Sequence, residues 1–319
     1  MHCHGVNQAA AIAAIRARAG RDTHGGRDDG RKLGLVVEGG ALRAVCSAGG
    51  VVALEHLGLT GAFDCVYGTS AGVMNAGYFL AGQARLGIKI YYEDMIRRDI
   101  INVLRFWRIL DVARLFERTV MASKRLRLDA ILRSPSRLFI AAMDEGTGGG
   151  ILFDAQKLGT EALLLSALRA ATAIPVFDNR PIAVLGRRYM DAGIVNSFPI
   201  EDAISAGCTD ILVLLTRPYE FRCVPPSKTS RWFFDRLCAH GNPGLLRAFA
   251  RQHERDTELR NLALGRTSTP PGVNIATICT DDRDVVQRLT TDPERLYAAA
   301  ASFARKTLSI FGADPGSWI

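Results

Sequence analysis

The sequence predicts an α/β fold in which helices cover both faces of a mainly parallel sheet. Short apolar runs typical of buried strands alternate with segments of helical periodicity from residue 33 onward. Parallel strands need crossover connections, and these crossovers place helices on both faces of the sheet. The chain has 319 residues, 48% of them hydrophobic and 23% charged, which suffices for a sizeable buried core.

Each predicted element rests on a local pattern. The strands are short apolar runs bounded by polar residues or glycine. They cover 33–37, 63–67, 137–143, 151–153, 181–185, 187–190, 210–215 and 273–279. The helices combine apolar residues at helical spacing with glycine or proline near their ends. They cover 45–57, 73–83, 160–172, 200–206, 230–264 with a break at 241–244, 284–290 and 293–310.

We expect one domain preceded by a tail. Residues 1–32 combine a short helical pattern, from Asn7 to Arg18, with a linker rich in glycine, arginine and aspartate, and we predict a flexible N-terminal tail there. Residues 33–319 contain no internal repeat and no linker, so a single domain is predicted. This domain includes a mainly helical insert at about 84–134 and a helical C-terminal part.

Charge and cysteine content indicate the environment of the protein. The formal net charge of +8 favours anionic partners, such as an acidic membrane surface or nucleic acid, or else reflects a solvated basic surface. Seven scattered cysteines without a C-x-x-C pair predict a reducing compartment, and together with unclustered histidines they predict no metal site. A convincing secretory signal and a membrane-spanning run are both missing, so we expect a cytoplasmic protein.

One stretch, Gly68-Thr69-Ser70-Ala71-Gly72, lies between a predicted strand and a predicted helix. A serine at such a turn, with a glycine two residues to either side, is the nucleophile-elbow pattern. The turn strains the backbone of the serine, and a Cβ atom at Gly68 or Gly72 would collide with the neighbouring strand or helix. The N-terminus of the helix favours negative charge at the serine hydroxyl. Ser70 is therefore the candidate nucleophile.

A second loop, Gly39-Gly40-Ala41, follows the first predicted strand and opens a helix. Its backbone N–H groups would face a site that favours anions, as an oxyanion hole requires. The competing interpretation is a dinucleotide-binding loop of the G-x-G-x-x-G type. That loop would need glycine where this chain has Ala41 and Ala44, and the next strand ends without a convincing acidic partner. We therefore expect no nucleotide cofactor.

Two kinds of base are candidates for activating Ser70. An α/β-hydrolase triad needs a downstream histidine, and the chain offers only His240, beside a Gly-Asn-Pro-Gly break, and His253, in a charged helical segment. Asp191 instead ends a predicted strand and precedes Gly193, which allows a sharp turn. A carboxylate of ordinary pKa, ~4, is a weak base unless it is desolvated and contacts the serine. The same pattern also fits an aspartate that only caps a turn.

Four segments together resemble the patatin-like phospholipases, particularly their bacterial branch. They are Glu38–Arg43, Gly68–Gly72, Arg169–Pro175 and Asp191–Gly193, and the resemblance extends from about residue 33 to 217. It implies a three-layer α/β/α sandwich with a mainly parallel sheet. It also implies hydrolysis of lipid acyl esters, of the phospholipase A or lysophospholipase type, by a Ser–Asp dyad without histidine, metal or cofactor.

The resemblance also assigns roles to single residues. It implies that Ser70 is the nucleophile that forms a covalent acyl-enzyme, that Asp191 is the base, and that the backbone N–H groups of residues 39–41 form the oxyanion hole. Arg43 matches the basic residue that follows this loop and supports it. The expected partner is a phospholipid or another lipid ester, and no nucleic acid is expected.

The chain departs from the family pattern at Ala41, Ala44 and Ala192, where the family usually has glycine. An alanine held at positive φ costs on the order of 1 kcal/mol, so the oxyanion loop could be reshaped. Two alternatives to a lipid hydrolase therefore stay open. One is a catalytically weak member of the family that binds lipid, and the other is a soluble carboxylesterase for small acyl esters.

The insert contains a candidate membrane-binding segment. Between Met95 and Met121, apolar residues recur at roughly helical spacing and arginines lie between them. The apolar residues include Ile100, Leu104, Trp107, Leu110 and Phe116. A helix with an apolar face, an indole and basic flanks can lie in the headgroup layer of an anionic membrane, which predicts peripheral membrane contact. The alternative is that the stripe packs on the core and the arginines are solvated.

Overall fold

The computed structural model describes residues 3–20, 29–102, 104–105, 109–175, 180–239 and 241–318. Eight strands form one sheet in the described residues. They are β1 Leu33–Val37, β2 Cys65–Thr69, β3 Arg137–Asp144, β4 Gly150–Asp154, β5 Ile182–Val184, β6 Arg187–Asp191, β7 Asp210–Pro218 and β8 Asn274–Thr280. Hydrogen bonds join the strands in the series β5-β6-β3-β2-β1-β7-β8, and β4 pairs with β3 outside this series.

The centre of the sheet is parallel. β1 pairs in parallel with β2 and β7, and the pairs β2–β3 and β7–β8 are parallel as well. β4 and β6 run antiparallel to β3, and β5 runs antiparallel to β6. All five residues of β1 are buried because helices cover the sheet on both faces, and this explains its continuous apolar sequence. The predicted mainly parallel sheet is confirmed.

Helices complete three layers. The α-helices are α1 Gln8–Arg16, α2 Val45–His56, α3 Ala71–Leu80, α4 Ala84–Gly87, α5 Val112–Leu115, α6 Leu128–Arg133, α7 Ala155–Leu158, α8 Glu161–Thr172, α9 Ile200–Ser205, α10 Lys228–Phe234, α11 Pro243–Ala263 and α12 Pro293–Ile310. Alternate residues of a strand point to opposite faces. Leu35 of β1 therefore packs into a core with α2, α3, α8 and α12, whereas Val36 packs into a second core with α9 and α11. The predicted α/β/α sandwich is confirmed.

The N-terminal stretch is not a free tail in its described part. The alanine–isoleucine face of α1 packs against the sheet, and Ile15 is fully buried. Arg18, also buried, forms ion pairs of 2.7 Å with both Asp29 and Asp64. The expectation of a flexible tail over 1–32 is therefore wrong there, because α1 has an apolar face that the sheet covers. The linker predicted to follow it lies mostly outside the described residues.

The insert is helical only in pieces, and the single helix expected from Met95 to Met121 is wrong for its described residues. Asp111 caps the N-terminus of α5, and its side chain accepts a hydrogen bond from the backbone N–H of Arg114. Ile101 and Leu110 form an isolated antiparallel bridge, which excludes a continuous helix between them. A π-helical segment, Phe116–Ser123, then follows α5. Helical spacing in the sequence cannot distinguish these short pieces from one long helix.

Most of the described apolar stripe packs on the core. Ile100, Leu110 and Phe116 are all buried, whereas Leu104 is 83% exposed. Three arginines of this region, at positions 97, 114 and 118, lie within ion-pair distance of the Asp99 carboxylate. Core packing therefore holds for the buried residues of the stripe, while Trp107 and Arg108 lie outside the described residues.

Other differences from the predicted elements are local. Most boundaries shift by one to three residues, and the helix expected at 284–290 is wrong. Only a short 3-10 turn, Asp282–Asp284, forms there, and Val285 has an extended backbone. The backbone N–H of Gln287 donates to the Thr290 hydroxyl at 2.8 Å, which stabilises a turn. Two adjacent β-branched valines and this side-chain hydrogen bond both disfavour a helix.

Candidate active site

Ser70 occupies a strained turn between β2 and α3. Its φ of 57° and ψ of −136° lie outside the usual regions for a residue with a side chain. Strain of this kind costs roughly 1–3 kcal/mol and persists where the surroundings hold it in place. A Cβ atom on Gly68 would lie 2.5 Å from the Cα of Val73, and one on Gly72 would lie 2.9 Å from the backbone N of Gly39. The two glycines of the motif are thus required by close packing.

The loop after β1 lies directly against this turn. A Cβ atom on Gly39 would lie only 2.8 Å from the Cβ of Ser70, so glycine allows the loop to approach the serine. No described residue accepts a hydrogen bond from the backbone N–H of Gly39 or Gly40. Free N–H groups beside a serine hydroxyl are what an oxyanion hole requires. The structure therefore brings the predicted loop and the predicted nucleophile together.

Buried polar side chains hold this loop from behind. The Ser47 hydroxyl donates to the carbonyl oxygen of Glu38 at 2.9 Å, and the Asn75 amide donates to the carbonyl oxygen of Ala44 at 3.0 Å. The Tyr91 hydroxyl donates in turn to Asn75 at 2.8 Å. Because all of these groups are buried, breaking one bond leaves a partner unsatisfied in a low-dielectric interior. The loop is therefore fixed in position by the fold.

Arg43 lies buried beneath the same loop. Its Nε donates to the Thr216 hydroxyl at 2.9 Å, and its guanidinium lies 3.9 Å from the Glu38 carboxylate. Burial lowers its pKa to about 9, against the opposing influence of Glu38. A Cβ atom on Gly40 would lie 2.8 Å from this guanidinium, so the loop and the arginine pack closely. Arg43 is placed where the sequence predicted a loop-supporting residue.

The three alanines that replace family glycines differ in conformation. Ala41 has a φ of 51°, a region that favours glycine. Ala44 has a φ of −67° and Ala192 begins a short 3-10 turn, and neither has a positive φ. Of these three alanines, Ala41 is therefore the one that carries the backbone strain anticipated from the sequence.

Asp191 reaches Ser70 because β2 and β6 meet end to end along one edge of β3. Thr69, the last residue of β2, lies opposite Ala141, and Asp191, the last residue of β6, lies opposite Ala142. β4 occupies the other edge of β3 over the same residues. Since β2 and β6 run in opposite directions, their C-terminal ends face each other at this point.

The two oxygens of the Asp191 carboxylate differ. Oδ1 accepts a hydrogen bond of 2.7 Å from the backbone N–H of Gly193 and so caps the short turn that follows β6. Oδ2 has no hydrogen-bond partner among the described residues, although it is buried and Ser70 is close enough to influence it. Burial raises the pKa of Asp191 to about 6, against the lowering influence of Ser70 and Gly193. The aspartate therefore caps a turn with one oxygen and leaves the other free.

Of the two candidate histidines, His253 lies in the described part of the chain, and it does not reach this site. His253 lies on α11 and its Nδ1 is 3.2 Å from the carbonyl oxygen of Ala250 in the same helix. It does not line the cleft at Ser70, whereas its neighbour Gln252 does. Gln252 donates its side-chain amide to the carbonyl oxygen of Gly193 at 2.8 Å and so holds the turn after Asp191. His240 lies outside the described residues.

Two cavities meet at Ser70. One is a cleft of about 180 Å³ with charged and polar walls, and we call it the polar cleft. It is lined by residues of the two loops and by Arg217, Asp256, Arg288, Phe234 and Phe249. The other, which we call the apolar pocket, measures about 50 Å³ and lies between α3 and the insert. Its walls include Met74, Tyr78, Tyr91, Met95, Leu110, Leu115 and Phe116.

Several residues of the polar cleft were not predicted from the sequence. Arg217 lies at the C-terminal end of β7, and its guanidinium lies 3.7 Å from the centre of the Phe221 ring. Burial lowers its pKa, and burial likewise raises the pKa of Asp256 on α11. The carbonyl oxygen of Arg288 accepts a hydrogen bond of 3.2 Å from the backbone N–H of Leu42. Of these cleft residues, Arg217 is the one that the sequence could have indicated, because it lies at the carboxyl end of a parallel strand and ligands bind at that edge of a sheet.

Neither a metal-binding cluster nor a bilayer-spanning helix occurs among the described residues. No group of three or more histidine, cysteine, aspartate or glutamate side chains is arranged to hold a metal ion there. In that same part of the chain, no helix combines the length and the apolar composition needed to cross a bilayer.

Comparison with known proteins gives two matches. A family model described as patatin-like phospholipase matches residues 35–204, slightly more than half of the chain and the part that contains both Ser70 and Asp191. The uncharacterized protein YjjU of Escherichia coli (strain K12) is 27% identical over 212 residues, which cover 64% of this chain. The match spans 58% of YjjU, less than two thirds of that protein. The chain belongs to the patatin-like phospholipase family.

Proposed function

We propose that the protein hydrolyses lipid acyl esters with Ser70 as nucleophile and Asp191 as general base. The family in general supports lipid acyl hydrolysis. The observation that carries the finer proposal is the free Oδ2 of Asp191, buried beside a strained serine with two unpaired backbone N–H groups next to it. Nucleophile, base and oxyanion donors converge here on one point.

The proposed reaction begins with proton transfer. Oδ2 of Asp191 accepts the hydroxyl proton while Oγ of Ser70 attacks the ester carbonyl carbon. The N–H groups of Gly39 and Gly40 donate to the oxyanion that forms. When the tetrahedral intermediate collapses, the bond to the alcohol oxygen breaks and the alcohol leaves with the proton from Asp191. Water then attacks the acyl-enzyme with Asp191 again as base, which releases the fatty acid and restores Ser70.

Burial makes Asp191 suitable for this role. A general base works best when its pKa lies near the working pH, and the pKa of Asp191 rises to about 6. The contact with Gly193 holds one carboxylate oxygen and leaves the other without a partner among the described residues. Gln252 and Gly193 thus position the base without contacting the reacting atoms.

The apolar pocket suits the acyl part of the substrate. Its walls are almost entirely apolar and it opens at Ser70 and Ala71. A fatty acyl chain gains about 0.8 kcal/mol for each methylene group that it buries. The polar cleft on the other side suits the alcohol part of the ester, whether a glycerol or a phosphate-bearing headgroup. This division favours an ester with an apolar acyl group and a polar alcohol.

The second candidate function is lipid binding with little catalysis. Ala41, at positive φ in the proposed oxyanion loop, is the observation that favours it. Labelling with a fluorophosphonate probe separates the two candidates, because only an activated serine reacts rapidly. We expect labelling at Ser70, mapped by mass spectrometry, and none in Ser70→Ala. A burst of product from a chromogenic ester would add evidence for the acyl-enzyme, whereas labelling elsewhere or no labelling would contradict the hydrolase.

A further inference from the structure

Three of the large hydrophobic side chains that stand exposed lie within one short segment. Val224 is 74% exposed, Trp232 is 58% exposed and Phe233 is 51% exposed. The rings of Trp232 and Phe233 contact each other edge to face at 5.0 Å. Large side chains of this kind rarely cluster on a surface that faces only water. We call residues 222–236 the aromatic rim.

The aromatic rim adjoins the polar cleft. Phe234, the residue after the exposed pair, is buried, lines the cleft and stacks on Phe249 at 4.2 Å. Successive residues of a helix point about 100° apart, so α10 buries one aromatic ring and leaves two facing outward. Ser227 fixes the start of this helix by accepting a hydrogen bond from the backbone N–H of Ser230. The exposed pair is therefore held at the entrance to the site.

The charge around the exposed pair is mainly positive. Four basic residues of the rim are exposed: Arg222, Lys228, Arg231 and Arg236. Asp235 is the acidic residue of the rim, and it is half-buried and accepts a hydrogen bond from the Gly241 amide. Aromatic rings flanked by basic side chains match a layer of anionic headgroups, where an indole sits at the interface and cations attract the lipid.

We propose that the aromatic rim docks the protein on an anionic phospholipid bilayer, with Trp232 and Phe233 in the headgroup layer and the polar cleft facing the lipid. This surface differs from the insert, where the described apolar residues are mostly buried. The docking itself stands on exposure and charge, whereas its use in delivering substrate rests on the proposed hydrolase function.

Binding should be measured with the Ser70→Ala protein, so that no lipid is consumed. We expect vesicles of phosphatidylglycerol and phosphatidylcholine to bind it at least tenfold more tightly than vesicles of phosphatidylcholine alone, with affinity falling as salt rises. Adding Trp232→Ala and Phe233→Ala should weaken binding about tenfold or more. Replacing Lys228 and Arg231 with glutamine should reduce the preference for anionic vesicles.

Leu104→Ala is the control, because Leu104 is an apolar residue of the insert that is even more exposed than Trp232 and Phe233. We expect it to leave vesicle binding unchanged. Loss of binding in Leu104→Ala, with no effect of the double substitution on the rim, would overturn the proposal in favour of the insert. A dimer that the rim substitutions dissociate, without vesicle binding by the parent protein, would show that the rim holds a second copy instead.

The docking proposal and the catalytic proposal are tested separately. With Ser70 intact, the rim double variant should hydrolyse a short soluble ester at the parent rate and lose activity only on vesicles. Equal losses on both substrates would mean that the rim shapes the site and would overturn docking. If no ester is hydrolysed at all while vesicle binding follows the pattern above, the hydrolase proposal fails and the docking surface stands.

Discussion

The two sides of Ser70 are built by different parts of the chain and with different chemistry. The polar cleft has walls from the loops after β1 and β6, from the C-terminal end of β7 and from α11, and it carries arginines and carboxylates. The apolar pocket has walls from α3 and the insert, with Asn75 and Thr172 among its few polar residues. An ester that spans the serine must therefore be amphipathic, with its acyl chain on one side and its alcohol on the other. The predictions below test this division.

The largest effect is expected at the junction of the two sides. Asp191→Asn is nearly isosteric but cannot accept the serine proton, so the rate of hydrolysis should fall about 10²–10⁴-fold. Turnover of a soluble ester measures it, with circular dichroism as the check on folding. Replacing His240 and His253 together with alanine should leave most activity. If Asp191→Asn kept its activity and the double histidine variant lost it, a histidine-dependent mechanism would replace the dyad.

The next effect separates the two sides. Met74 is partly buried on α3 and lines the apolar pocket one turn after Ser70. Met74→Trp should fill the pocket and lower kcat/KM for long-chain esters on the order of tenfold or more, since an ordered acyl chain loses its contacts. Short-chain esters should be affected much less. Met121→Trp, at an exposed position of the insert outside the pocket, is the control.

Equal losses on short and long chains would contradict the assignment of the apolar pocket to the acyl group.

The dependence on pH tests the burial of Asp191. Since the base must be ionised, kcat/KM should fall as pH drops through about 6 and level off above it. The same raised pKa has the opposite effect on stability. In the unfolded chain the aspartate titrates near pH 4. The contribution of Asp191 to the free energy of unfolding is therefore complete below that pH and is lost as pH rises through about 6.

At pH 8, Asp191→Asn should therefore have a free energy of unfolding about 1–3 kcal/mol greater than that of the parent protein, and so a higher unfolding temperature. This difference should vanish near pH 4. Thermal unfolding at the two pH values measures it. A variant that is less stable at pH 8 would mean that the carboxylate has charged partners that compensate for its burial.

The smallest effect is expected at Ala41. Glycine accepts a φ of 51° without strain, so Ala41→Gly should keep activity or raise it by a few fold, and should change the free energy of unfolding by no more than about 1 kcal/mol. Steady-state kinetics and thermal unfolding measure the two quantities. A large loss of activity with the fold intact would show that the loop is adapted to alanine and that the proposed oxyanion geometry is wrong.

The sequence predicts the elements around the proposed nucleophile best because their signals are local. Gly68 and Gly72 are required by contacts within one strand–turn–helix unit, and Gly39 by its approach to Ser70. The spacing of such glycines is visible in the sequence. The partner of Ser70 is less visible from local pattern alone, because only the meeting of β2 and β6 on one edge of β3 brings Asp191 there.

Other features depend on contacts that no local pattern contains. Arg217, Asp256 and Arg288 come from three separate segments and meet only in the folded cleft. In the insert, helical spacing correctly predicted that most of the described apolar residues are buried. It wrongly predicted a continuous helix, because the bridge between Ile101 and Leu110 interrupts it. The domain boundaries and the cytoplasmic location stay predictions.

The end-to-end meeting of β2 and β6 has a consequence for the order in which products depart. If Ser70 forms the proposed acyl-enzyme with its acyl chain in the apolar pocket, the alcohol is the first product and leaves through the polar cleft. Its departure clears the space beside Asp191, so that the incoming water follows the route by which the alcohol left. Any other alcohol that enters by that route competes with water for the acyl group. Under the proposed mechanism, the same acyl-enzyme would therefore transfer its acyl group to a suitable alcohol as well as to water.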